Sequence, residues 1–111
     1  MSTLICLVDR DPKAKIFKVN TGINDDVNDL KEKVKEKNPN QFVDVDARDI
    51  VLWKVNVPIG DDAKEVDIVL ENNEETGVQE LVFPIKKISN VFTKNITHDY
   101  IHVIIERPSG K

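Results

Sequence analysis

An α+β domain is the fold this sequence predicts: one amphipathic helix laid across a mixed sheet whose first and last strands are adjacent and parallel. Three features point to it. The opening run Leu4 to Val8 and the closing run Tyr100 to Glu106 are apolar on both alternating parities, the pattern of strands covered on both faces. Residues 24–38 carry helix start, stripe and stop signals in order, and Ile50 to Val57 (IVLWKVNV) is dense in branched and aromatic residues. Two strands that both require burial on two faces belong in the centre of a sheet, and placing the first beside the last makes them parallel.

The elements follow in chain order. After the opening strand, Asp9 to Lys15 (DRDPKAK) is a turn in which Pro12 fixes φ, and Ile16 to Val19 is a second strand closing a hairpin. Asn24, Asp25 and Asp26 are candidate N-caps that also set negative charge at the positive end of a helix. Val27, Leu30 and Val34 recur at three- and four-residue spacing, Lys31, Lys33, Lys35 and Lys37 load the later turns, and Asn38-Pro39 stops the helix. Gln41 to Asp49 is a polar connector anchored by Phe42 and Val45. The strand Ile50 to Val57 ends in a loop at Pro58 to Asp62. Local pattern leaves Glu65 to Leu70 open between a short strand and a helical turn, and Glu71 to Thr76 (ENNEET) is an acidic loop. Pro84 excludes a central strand nearby, while Ile85, Ile88, Val91 and Phe92 match a short helix or 3₁₀ turn. This order is that of the ubiquitin-like β-grasp.

Composition narrows the function. The 111 residues are 40% apolar and 32% charged, sufficient for one soluble domain with its own core. A net charge of −4 argues against nucleic acid as a partner, because phosphate binding rests on a clustered positive footprint. The lysines of KEKVKEK alternate with acids, as on a solvated helix face. No window approaches the roughly 18 apolar residues of a membrane span, and the opening MSTLICLVDRD is not read as a conventional signal peptide.

No catalytic centre, cofactor or metal site is expected. Gly22, Gly60, Gly77 and Gly110 lie too far apart to cradle a phosphate. Cys6 lies among apolar residues, where a thiolate is disfavoured, so pairing it with His98 or His102 as a nucleophile is not expected. His98 and His102 stand four apart, but in a strand that spacing separates them by about 13 Å. The ending RPSGK lacks the paired glycines through which ubiquitin is conjugated. Asn95-Ile96-Thr97 is a glycosylation triplet of the kind that also occurs by chance. On the third strand Ile50, Leu52 and Lys54 share one face and Val51, Trp53 and Val55 the other. The helix covers one face only, so Trp53 is either core or the anchor of an outward patch that Tyr100 or His102 would extend.

Four stretches together resemble the N-terminal header domain of Crinkler-type proteins, modular effectors of oomycetes and fungi. The opening LICLV resembles the family's start. DLKEKVKEKNPNQF resembles its D-L-K-x-x-I-K-x-K-x-P-x-x-F, and DVDARDIVLWKVNVP its D-x-D-A-x-x-L-x-L-W-K-V-x-[IV]-P. KISNVFTKNITHDYIHVIIERP resembles its K-[IL]-S-x-V-F with the closing H-[VI]-[IL]-[IV]-x-x-P. The resemblance implies a ubiquitin-like header over residues 1–108, with 109–111 a tail, either of a header-only protein or at the junction to an effector domain. It also implies a non-catalytic targeting and protein-interaction role in a secreted, host-directed protein of a pathogen or symbiont. Leu52, Trp53, Lys54 and Val55 would occupy the place of the oomycete translocation motif L-F-L-A-K, in the fungal style. His102, Val103, Ile104, Ile105 and Pro108 would form the closing motif. The alternative is an intracellular ubiquitin-like adaptor whose sheet docks another protein or a second copy of itself as a homodimer.

Overall fold

The computed structural model describes residues 2–22, 24–60, 69–92 and 100–106. Pro108, the tail 109–111, His98, the Asn95-Ile96-Thr97 triplet and most of Glu65 to Leu70 lie outside them.

Five strands form one sheet in the order β2-β1-β5-β3-β4. Strand β1 (Ser2–Val8) turns through a 3₁₀ segment at Lys13–Lys15 into antiparallel β2 (Phe17–Thr21). Strand β3 (Leu52–Pro58) pairs antiparallel with β5 (Tyr100–Ile105) and with the two-residue edge strand β4 (Gln79–Glu80). The chain ends meet as the apolar pattern requires: β1 and β5 run parallel, with Cys6 opposite Val103, Leu7 opposite Ile104 and Val8 opposite Ile105. Strand β4 was not expected from the pattern, because two residues carry no periodicity.

Helix α1 (Val27–Lys37) is built as its sequence dictates. Asp26 is the N-cap, accepting from Asp29 N–H at 2.8 Å, while the Asp29 carboxylate accepts from Asp26 N–H at 3.1 Å. This reciprocal box leaves two orphan donors at the helix start, and other groups take them: Lys86 C=O accepts from Val27 N–H and Pro84 C=O from Asn28 N–H, both at 2.9 Å. At the far end both the backbone and the side-chain amide of Asn38 donate to Val34 C=O. Val27, Leu30 and Val34 are essentially fully buried.

The sheet separates two apolar clusters. On the helix side, Leu4, Cys6, Val8, Leu52, Val103 and Ile105 meet the α1 stripe, Phe42 and the short helix α2 (Ile88–Val91). On the opposite side, Ile5, Leu7, Trp53, Val55, Ile101 and Ile104 are buried beneath flanking residues that include Ile16, Ile59 and Leu70. The helix therefore covers one face as expected, and loop segments, not solvent, meet the other. Each fully buried Leu, Ile or Phe contributes roughly 1.5–3 kcal/mol through area removed from water, so both layers matter to stability.

Candidate interaction surface

The third-strand stretch is woven into the fold. Leu52 is fully buried on the helix side; Trp53 is only 6% exposed and, with Val55, belongs to the opposite cluster. Trp53 is therefore core, though not under the helix, and it offers no open patch on the single chain. Its indole N–H finds no acceptor among the described residues. Lys54 is half-buried: its ammonium donates to Val91 C=O at 2.9 Å and lies 5.6 Å from the centre of the Phe92 ring. Those contacts tie β3 to α2.

The closing motif is equally interior. His102, Val103, Ile104 and Ile105 are buried. His102 Nδ1 accepts from Ile5 N–H at 2.9 Å, and its ring meets Phe92 edge-on, with centroids 6.5 Å apart at 80°. Phe92 thus stands between Lys54 and His102, joining two motifs that lie far apart in sequence. The half-buried Tyr100 and the buried His102 do not extend a patch around Trp53. Cys6 is free and buried, and burial pushes its thiol up to about 12, which disfavours a nucleophilic role.

The exposed chemistry lies instead on the turn between β4 and α2, where Val82, Phe83 and Ile85 are 54%, 66% and 83% exposed. The spacing predicts a short helix or 3₁₀ turn over Ile85, Ile88, Val91 and Phe92; of these, Ile88 and Val91 are the buried helical residues, and Ile85 stands outside in solvent. The turn is held by its backbone. Besides the two carbonyls given to α1, Lys86 N–H donates to Phe83 C=O at 3.2 Å and Ile88 N–H to Asp25 C=O at 2.9 Å. A signal was present in the sequence: Val82-Phe83-Pro84-Ile85 is an apolar run that proline bars from the sheet ladder, so its side chains have no strand to bury them.

Among the described residues no group of three or more His, Cys, Asp or Glu is placed to hold a metal, and no helix is long and apolar enough to cross a membrane.

The family model for the Crinkler effector protein N-terminal domain matches residues 2–106. A relative, Crinkler effector protein 1 of Rhizophagus irregularis (strain DAOM 181602 / DAOM 197198 / MUCL 43194), is 34% identical over 110 residues, covering 97% of this chain. The chain spans 22% of that relative's length. No solved structure matches the chain. Family match and relative together place it: the chain belongs to the Crinkler effector N-terminal domain family.

Proposed function

We propose that this domain is a non-catalytic targeting and protein-interaction module of a secreted, host-directed effector. The observation that carries the reading is the family match across residues 2–106. The structure supports a binding role physically. The motif residues Leu52, Trp53, Val55 and His102 serve packing, while the backbone-clamped turn at Val82 to Lys87 presents apolar and basic side chains to solvent. A surface held in place before binding loses less entropy on association.

A delivery experiment tests it. The domain is fused ahead of a reporter in the producing organism, and the reporter is assayed in the culture fluid and in host cells. Recovery inside host cells is the expected result. Retention of an intact, folded fusion inside the producing cell would overturn delivery and favour the intracellular adaptor, which the same exposed turn would suit.

A further inference from the structure

The join between the two ends of the chain depends on a side chain that can change charge. In a regular parallel ladder the N–H groups of one strand meet backbone carbonyls of the next, which do not titrate. The β1–β5 register runs from Cys6 and Val103 to Val8 and Ile105, and just before it Ile5 N–H donates to His102 Nδ1 at 2.9 Å. Only the neutral imidazole with its proton on Nε2 can accept there. An imidazolium carries a proton on Nδ1 as well, so the Ile5 bond cannot survive ionisation of the ring. His102 is buried, and an N–H buried without an acceptor beside a buried charge is costly. The described elements around the ring add to that cost. No carboxylate stands on β1, β3, β5 or α2, and Lys54 carries the one charged side chain among them besides His102 itself. Its ammonium lies 5.6 Å from the centre of the Phe92 ring, which the imidazole meets edge-on at 6.5 Å. Ionised, His102 would bring a second cation against a ring that already faces one. Glu106, just past β5, is exposed to solvent, and His98 and Asp99 lie outside the described residues.

We infer that His102 is an acid-sensitive latch on the β1–β5 join, closed at neutral pH and released in mild acid. The opened chain takes up a proton on this imidazole below about pH 6.5, as a free histidine does, while the closed fold excludes it. The sign follows from linkage: the latch stabilises the fold fully above about pH 6.5, and its contribution declines as pH falls below that value. Strand β5 lies between β1 and β3 and carries residues of both apolar clusters, so release here loosens the whole domain and not an edge. Two other perturbed groups stay out of this window. Cys6 titrates only as pH rises towards 12, and Asp25, held below the usual carboxyl range by its bonds to Lys33 and Gly22, acts at lower pH. The domain is therefore firm in a neutral medium and opens readily in an acidic one.

The test is urea denaturation of the chain between about pH 7.5 and pH 5, a range above ordinary carboxyl pKa values, with the His102 ring followed by NMR. The unfolding constant should rise roughly tenfold or more across that range, since one proton taken up on unfolding is worth up to tenfold per pH unit. His102→Asn keeps an acceptor for Ile5 N–H and cannot titrate, so its unfolding constant should stay level. His98→Asn and Asp99→Asn should keep the wild-type dependence. In the folded population the His102 ring should hold its neutral signals and the Ile5 amide its native position, and imidazolium signals should appear only with the unfolded chain. A wild-type stability level over the range would overturn the latch, as would a dependence that survives in His102→Asn or is lost in His98→Asn or Asp99→Asn. So would a ring that becomes imidazolium while the Ile5 amide stays in its native position. The wild-type ring titration decides the case alone if His102→Asn does not fold.

Discussion

His102 supplies an acceptor at one end of the β1–β5 pair. At the other end Asp9 N–H donates to Ile105 C=O at 2.8 Å, while Ile5 N–H donates to the imidazole at 2.9 Å. For Nδ1 to accept, the neutral ring must carry its proton on Nε2. Replacing His102 with Leu should therefore strand a buried N–H and cost about 1–3 kcal/mol, read from urea denaturation. Asn, whose side-chain oxygen lies near the position of Nδ1, should recover part of that loss. Cys6 gives a second residue-scale prediction. Its thiol ordinarily ionises near 9 and is held up to about 12 in the fold, so the folded state keeps the proton that the unfolded chain releases. The stabilisation is complete below pH 9 and declines as pH rises towards 12. A thiol reagent at pH 8 should leave the native protein unlabelled and react only when urea is added.

Helix α1 shows how one element draws on several parts of the chain. Its first donors are met by Asp26, Asp29, Pro84 and Lys86, so its start depends on a turn more than fifty residues later. Asp26→Ala should cost about 1 kcal/mol, with loss of helical circular dichroism at lower urea. Just upstream, the Asp25 carboxylate accepts from Lys33 and from Gly22 N–H, and these bonds hold its carboxyl below the usual range. The folded-state value is depressed, so this contribution is present above the unfolded carboxyl's range and is lost as pH falls through the folded one. Because the pair is partly solvated, the effect is small. Asp25→Asn should lower the urea midpoint slightly at pH 7, and the difference from wild type should vanish in acid.

For the whole molecule, strand β5 is decisive. It lies between β1 and β3 and carries residues of both apolar clusters, yet it comes last in the sequence. Ile5 and His102 are 97 residues apart. A chain ending after Phe92 should fail to fold, giving an unfolded proton NMR spectrum. In the full domain, amides of Leu4 to Val8 and Ile101 to Ile105 should exchange slowest, and those of the short edge strand β4 much faster. Folding should be slow for the chain's size, since the central pairing cannot form before the ends meet.

Much of this was legible in the residues. The α1 stripe, its acidic start and the Asn38-Pro39 stop are local signals, and the two-sided apolarity of the chain ends follows from burial on both faces, so each could be read without coordinates. The central parallel pair then followed from connectivity alone. Tertiary structure decided what local pattern does not encode. Alternation sets Trp53 on the face opposite Leu52, but only the fold shows that this face lies away from the helix and that residues such as Ile59 and Leu70 pack there to bury it. Ile85 continues an apolar spacing yet stands in solvent, because the carbonyls around it are committed to the start of a distant helix. Spacing along a strand or helix fixes which side chains share a face. What covers that face depends on contacts between residues remote in the chain, and those contacts arise only on folding.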